Sequence, residues 1–332
     1  MRSGEYFPSP EVEKPEPIKL KGIDFDIEDI ERAWERDRPL QLSISFPREK
    51  CNLNCVYCFT DAYREKTQQS VDVAKSVELL EEAKNLGITN LLLAGHGEPF
   101  SNKEIWPLLE KARELDLHVT VFTNGALLNA TAIEKLREYP VSFVVKVNSF
   151  DPEKENRISG VKKYAEKRDE AIRAMIDAGF NKPDKNGFTR MGVSIMVYKD
   201  NADDAGEVID WALERRILPM VSGTALTGKA VKHLDILGNQ EDLKAAFRSV
   251  EERVHMRSPE LHKQLFTPRS GQVVFNTLTV FVEYPSGSVI SNVVQRQNIG
   301  HVKETLSAIW ERNEKEREKQ IEMSRDRINA LR

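Results

Sequence analysis

Cys51, Cys55 and Cys58 stand within one octapeptide, Cys51-Asn52-Leu53-Asn54-Cys55-Val56-Tyr57-Cys58, at the spacing C-x3-C-x2-C. They are all the cysteines of the chain. Thiolates are soft ligands, suited to zinc, copper(I) or iron–sulfur clusters. A compact loop can curl until three sulfurs face one centre, whereas a regular helix or strand at this spacing would not converge them. Structural zinc asks for four closed ligands, and the octapeptide offers no second cysteine pair and no histidine. A [4Fe–4S] cube held by three cysteines keeps one iron open, a place to bind a small molecule. A disulfide framework fits badly, because the number is odd, the chain is long and nothing resembles a secretory signal. Iron–sulfur, zinc and no metal are the readings these residues leave, in that order.

Further polar residues fall where apolar runs stop. Gly95-His96-Gly97-Glu98-Pro99 combines glycines, which let the backbone approach closely, with one anionic acceptor. His96 reads as a structural residue of that loop or as an acid or base near neutrality. Thr123-Asn124-Gly125 ends another run, and Asn-Gly is a turn signal. In Lys146-Val147-Asn148-Ser149, alternation puts Lys146 and Asn148 on one side of a strand. A buried lysine without a partner is costly, so Lys146 is expected to meet an anion or solvent. Ser194 and Met196 share a face of a later strand, and Asn201 reads as a turn residue after it. The stretch Met220 to Gly228 is polar and glycine-bearing enough to meet a ligand.

Together these motifs resemble those of the radical S-adenosylmethionine (radical SAM) superfamily. The C-x3-C-x2-C run, with the aromatic Tyr57 just before the last cysteine, looks like its signature. The resemblance implies a [4Fe–4S] cluster on Cys51, Cys55 and Cys58 whose open iron is chelated by the amino and carboxylate groups of SAM. Reduction then cleaves SAM to methionine and a 5′-deoxyadenosyl radical, which abstracts hydrogen from an unactivated C–H bond. Gly97-Glu98 looks like part of the family's Gly-Gly-Glu-Pro motif, which holds the methionine amine, although Gly-His-Gly replaces Gly-Gly here. Asn148 and Ser149 resemble ribose- and carboxylate-contacting positions, and Met196 lies on what resembles the adenine-contacting strand. The implied cofactor-binding residues are Tyr57, Gly97, Glu98, Asn148, Ser149 and Met196. No catalytic residue beyond these is assigned.

These residues need a scaffold that brings strand ends together. Apolar runs at Leu40 to Phe46, Thr89 to Gly95, His118 to Thr123, Val141 to Val147, Met191 to Val197 and Ile217 to Val221 predict six strands. Helical spacing between them predicts helices at 71–86, 102–115, 130–138, 163–178 and 203–215, the first capped by Ser70 and stopped by Gly87. Such alternation predicts an α/β fold with a parallel sheet, open or closed. Periodicity does not separate a flat doubly wound sheet from a barrel; the resemblance, over residues 40–225, implies a (β/α)6 partial TIM barrel. Residues 1–39 are expected as a lead-in whose prolines disfavour regular structure to about residue 22, followed by a short helix from Asp26 to Arg36. The barrel is expected at 40–228, and a small C-terminal extension at 229–332 covering its mouth. In the extension we expect a helix at 240–256, a β-hairpin from strands Val273 to Val282 and Ser288 to Val294, and one long solvated helix over 302–331. It resembles the SPASM/twitch region of radical SAM relatives without its cysteines; Ser291 stands where a first cysteine is expected.

The bulk properties narrow the partners. The chain has 332 residues, 40% hydrophobic and 31% charged, ordinary for a soluble protein, and no apolar run approaches the roughly 18 residues of a membrane span. A net charge of −4 argues against a nucleic-acid partner. A reducing cytoplasm suits thiols and iron–sulfur clusters. With three cysteines committed to a cluster, none is left to donate a hydrogen atom or to hold an auxiliary cluster. That biases the outcome towards redox-neutral chemistry of lyase, isomerase or transferase type rather than oxidoreductase. The expected substrate is a small polar metabolite, such as a sugar, nucleoside or amino-acid derivative, in a biosynthetic tailoring step, with flavodoxin or ferredoxin as electron donor. Modification of a peptide is the alternative, and a non-catalytic metal-binding protein the alternative of another class.

Overall fold

The computed structural model describes residues 17–62, 71–291 and 297–331. The six expected strands form: β2 (Gln41–Ser45), β3 (Asn90–Leu93), β4 (His118–Thr123), β5 (Val141–Lys146), β7 (Met191–Val197) and β8 (Leu218–Gly223). They lie side by side in chain order, every neighbour parallel. Continuous apolar runs suit strands covered on both faces. Leu42, Ile44, Leu91, Leu93, Val119, Val121, Phe143 and Val193 are at most 1% exposed, and each such side chain contributes about 1.5–3 kcal/mol by leaving water.

Helices α2 (Val73–Leu86), α3 (Ile105–Glu114), α4 (Ala130–Leu136), α6 (Tyr164–Asp177) and α7 (Ala202–Glu214) follow the strands as the spacing predicts. Helix α2 is capped by Asp72, whose carboxylate accepts from the Lys75 amide, and it ends at Gly87 with φ +96°. Ser70, the expected cap, lies outside the described residues. A short helix α5 (Pro152–Ser159), capped by Asp151, precedes α6 and was not legible in its charged sequence.

The expectations at both ends need correction. The lead-in beyond residue 16 is ordered: Ile18 and Leu20 are buried, and β1 (Lys19–Leu20) pairs in parallel with β6 (Phe188–Thr189). Residues 1–16 lie outside the described residues. Helix α1 (Ile27–Glu35) stands where the spacing places it. In the extension, helices α8 (Leu234–Leu237), α9 (Gln240–Arg257) and α10 (Pro259–Phe266) come first. The run expected as a strand at 273–282 is divided: α11 (Ser270–Thr277) precedes a shorter β9 (Thr279–Glu283). Val273, Val274 and Thr277 are buried at helical spacing, so the β-branched composition misled.

Strand β9 does not stand apart from the barrel. It pairs in parallel with β2, from Gln41↔Thr279 to Ser45↔Glu283, and carries antiparallel β10 (Ser288–Ile290) and β11 (Asn298–His301) outward. The sheet therefore runs β11-β10-β9-β2-β3-β4-β5-β7-β8. The hairpin about Tyr284-Pro285-Ser286-Gly287 is present, while residues 292–296 of its expected second strand lie outside the described residues. The single long helix at 302–331 is two helices, α12 (Leu306–Arg312) and α13 (Glu314–Leu331). The Thr305 hydroxyl caps α12 by accepting from the Ala308 amide. Nor is α13 wholly solvated: Arg317, Ser324 and Ile328 are buried, and the Arg317 guanidinium clasps the Asp37 carboxylate at 2.6 Å.

Candidate active site

The cysteine loop leaves β2 and is pinned from several sides. The amides of Asn54 and Val56 donate to the carbonyls of Ser159 and Ile158 at 2.9 Å, tying the loop to the end of α5. The Glu98 amide donates to Lys50 O at 3.1 Å, and the Lys229 amide to Cys58 O at 2.9 Å. Leu53, Val56 and Tyr57 are buried while the three cysteines stay half-buried, so apolar anchors fix the loop and leave its sulfurs towards the mouth. Two glycines press against it. A Cβ at Gly97 would lie 2.3 Å from Pro47 O, and one at Gly228, with φ +60°, would lie 2.4 Å from Phe59 O. Any larger residue at either position displaces the cysteine loop.

Burial favours the neutral thiol at Cys51 and Cys55. Burial pushes Cys51 up to about 12, with the neighbouring Cys55, Glu98 and Cys58 adding to it. Burial likewise pushes Cys55 up to about 11. Thiolates gathered this closely repel one another, and metal cations offset that repulsion when they are ligated. Cys58 Sγ accepts from the Ala62 amide at 3.2 Å and lies 3.4 Å from Thr60 Oγ1. Among the described residues no three His, Cys, Asp or Glu side chains gather tightly enough to hold a single metal ion. A cube that takes one thiolate on each of three irons needs three separate thiols around it rather than a shared point. The donor set fits such a cluster.

Glu98 is 3% exposed and lies in the loop after β3. Its carboxylate accepts from Thr123 Oγ1 at 2.7 Å, the Asn124 amide at 2.8 Å and the Phe100 amide at 3.2 Å. Burial pushes it up to about 7 although these three donors pull it down. The Asn124 side chain donates to Asn52 Oδ1 at 2.8 Å, so the Thr123-Asn124-Gly125 turn joins Glu98 to the cysteine loop. His96 Nε2 lies 3.6 Å from Glu283 Oε1, which brings the end of β9 to the same loop.

On the other side of the mouth, Asn148 and Ser149 are fully buried and richly bonded within the protein. The Asn148 amide and side chain donate to Glu155 at 2.8 and 2.9 Å, and Asn148 Oδ1 accepts from the Met196 amide at 2.9 Å. The Ser149 amide donates to Glu155 at 2.9 Å and its hydroxyl to Asp204 at 3.1 Å. Asn148 Nδ2 also reaches Tyr57 OH at 3.4 Å. Asn201 donates to the carbonyls of Met196 and Asn148, at 2.9 and 3.4 Å. Met196 is half-buried, its sulfur 3.9 Å from Ser222 Oγ. The Lys146 ammonium lies 4.9 Å from the Tyr57 ring centroid, a contact with an aromatic face that the sequence did not suggest. Burial lowers it to about 8, against the pull of Cys55 and Glu155.

Sequence reasoning missed Glu155 and Arg168, both fully buried. Arg168 on α6 donates to Glu155 at 2.6 Å, to Asp169 at 2.7 Å and to Ser149 O at 3.2 Å. Burial opposes the Arg168 charge, but Glu155 and Asp169 outweigh it and hold the guanidinium above its ordinary range. The available signal was spacing: Arg168 falls between Ala165 and Ile172 on the buried face of α6.

A family profile described as the Radical SAM superfamily matches residues 46–212, half of the chain. A GTP 3′,8-cyclase of Haemophilus influenzae is 27% identical over 206 residues, 60% of this chain and 56% of that protein. A PqqA peptide cyclase of Gluconobacter oxydans is 24% identical over 278 residues, 79% of this chain and 74% of that protein. The chain spans about half the length of the curated relatives it matches, 40% in one case and 56% in another. Among solved structures, Streptococcus suis SuiB bound to S-adenosylmethionine superposes with a TM-score of 0.62 at 17% identity, over 85% of this chain and 68% of that one. The same protein bound to its precursor peptide SuiA superposes at 0.61. Among the described residues no helix is long and apolar enough to cross a membrane.

Proposed function

The chain belongs to the radical SAM superfamily, whose members use a [4Fe–4S] cluster and S-adenosylmethionine, and on that premise we propose that it is an enzyme acting on a peptide. When bound, the cluster and SAM supply an electron and a carbon-centred radical able to take hydrogen from a C–H bond. Cys51, Cys55 and Cys58 hold the cluster. Gly97 leaves room at the loop, and the Glu98 carboxylate would pair with the ligand's ammonium, any proton it holds passing to water. Tyr57, Asn148, Ser149 and Met196 form the opposite wall, with Asn148 and Ser149 fixed by Glu155. Lys146, over Tyr57, adds positive charge beside anionic sulfurs. Flavodoxin or ferredoxin serves as donor of the electron.

The observation that carries this reading is the buried Glu98, which meets no cation among the described residues, is hydrogen-bonded to the end of β4 and lies near a loop of three half-buried thiols. A buried carboxylate with neutral donors alone is well prepared for a cationic ligand. The peptide cyclase and the peptide-bound SuiB support a peptide substrate. Assignment of all three cysteines to the cluster favours a redox-neutral outcome, and an oxidative one would require the substrate's electron to return to that same cluster. A small polar metabolite is the second reading, favoured by the GTP 3′,8-cyclase.

Anaerobic reconstitution with iron, sulfide, SAM and dithionite is expected to yield 5′-deoxyadenosine and methionine, and Cys55→Ala to yield none. Persistence of 5′-deoxyadenosine in that variant sinks the cluster assignment. Cell extract should stimulate the reaction, and protease treatment should remove the stimulation. Stimulation that survives protease favours the metabolite.

A further inference from the structure

A groove of about 710 Å³ opens at the end of β8, beside α9 and next to the mouth. Its floor is apolar, made by Leu226, Leu243 and Phe247, and Gly223 opens it towards the last strand of the sheet. Phe247 is held edge-on against Phe266 at 5.7 Å, so the floor is backed by α10. Lys244 and Arg248 stand exposed on one rim, one helical turn apart. Among the described residues neither pairs with a carboxylate; the Arg248 Nε donates only to the Lys244 carbonyl, at 3.3 Å. The wall continues into the site: Thr224 Oγ1 donates to Val197 O at 2.8 Å, next to Met196.

We propose that this groove is an anchoring subsite for a substrate peptide, taking a segment in which apolar side chains alternate with carboxylates. This rests on the peptide reading above and adds where and by what chemistry the peptide is gripped. The size suits an organic ligand held mainly by apolar contact. The two cations at i and i+4 select a negative segment through charge complementarity and steer its approach. Strand edge and apolar trough are features that extended peptides use, with side-chain pockets giving specificity. An anchor outside the barrel lets the reacting residue reach the mouth while the rest of the peptide stays held.

The probe is Glu-Leu-Glu-Leu-Phe-amide carrying fluorescein on its N-terminal amine, titrated by anisotropy against the reconstituted full chain with SAM. The control is Lys-Leu-Lys-Leu-Phe-amide carrying the same N-terminal label. We expect the acidic probe to bind at least tenfold more tightly. Joint Lys244→Glu and Arg248→Glu substitution should invert that preference, and Phe247→Ser should weaken both peptides at least fivefold. None of the three residues belongs to the cluster or SAM machinery, so 5′-deoxyadenosine formation without substrate should be unchanged. As a second measurement needing no variant, the acidic probe should slow amide hydrogen exchange at 240–248 in the unaltered protein. Equal binding of the two probes, indifference to charge reversal, absent exchange protection, or displacement of the probe by GTP at equal concentration each overturns the proposal. If the probe fails while extract stimulation stays protease-sensitive, the groove assignment falls and the peptide reading stands. If stimulation is protease-resistant, the peptide reading itself falls.

Discussion

Two glutamates lie on opposite sides of the barrel mouth, Glu98 in the loop after β3 and Glu155 in α5, both buried and both heavily hydrogen-bonded. Among the described residues Glu98 receives only neutral donors, two amides and a hydroxyl, and burial pushes it up to about 7. Glu155 receives two amides and a side-chain amide as well, but also the Arg168 guanidinium at 2.6 Å. A buried charge is tolerable when paired and costly when not. Glu155 therefore already has its cation and acts as a fixed part of the scaffold, holding Asn148 and Ser149. Glu98 has an unfilled demand for positive charge. The same residue type, equally buried, is structural in one half of the mouth and poised for a ligand in the other.

The comparison breaks first at Glu155. Replacing it by Gln leaves Arg168 with Asp169 alone and should cost about 3–5 kcal/mol of stability, the range for removing one partner of a buried ion pair. Chemical denaturation under anaerobic conditions measures this. A loss below about 1 kcal/mol would mean that the network is not what holds the strand end.

Glu98 should show its difference through pH. Its folded value of about 7 is raised from 4.5, so the folded protein holds the proton more tightly than the unfolded chain. The resulting stabilisation is fully present below 4.5 and is lost as pH rises through about 7. Relative to Glu98→Gln, the cofactor-free wild-type protein should thus lose about 3 kcal/mol of stability across that window. Thermal melts of both proteins in a pH series test the sign: a difference that grows with pH would place a cation beside Glu98 and erase the contrast with Glu155.

Ligand binding should be the next largest effect. Removing the carboxylate charge in Glu98→Gln is expected to weaken SAM binding by about 1.5–3 kcal/mol, roughly ten- to a hundredfold, as for a charge-assisted hydrogen bond. Calorimetry on reconstituted protein reads it, and an unaltered dissociation constant would remove Glu98 from the site. The smallest effect is expected of Tyr57→Phe. The Tyr57 hydroxyl accepts from Asn148 Nδ2 at 3.4 Å and bonds the Cys55 sulfur, a weak link between the cysteine loop and the Glu155 network. Its loss should cost under about 1 kcal/mol and leave cluster content unchanged by iron analysis.

What was legible in the sequence follows from where the information is local. The β2–β8 run of strands was readable because fully covered parallel strands are continuous apolar runs, as in Asn90–Leu93 and Val141–Lys146. The cysteine loop and Glu98 were readable because each is a short motif whose residue types need one another. Strand β9 was harder. Its partner β2 is more than 230 residues away, and nothing in Val273 to Val282 marks the change from helix to strand at Leu278. The break between α12 and α13 was hidden for the same reason: the charge pattern runs through Asn313 without interruption. Glu155 and Arg168 were missed because an acid in a charged helix start and a base in a charged helix look solvated, although the spacing of Arg168 between Ala165 and Ile172 places it on the buried face.

By itself the sequence determined the cysteine triad, the succession of strands and helices, and the turn that carries Glu98, since all three are written within a few consecutive residues. Only the tertiary structure decided that β9 closes onto β2, that Lys146 faces an aromatic ring, and which of two buried glutamates is left without a cation. Those outcomes depend on groups far apart in the chain meeting in a water-poor interior, where one guanidinium settles whether a carboxylate is satisfied or waiting.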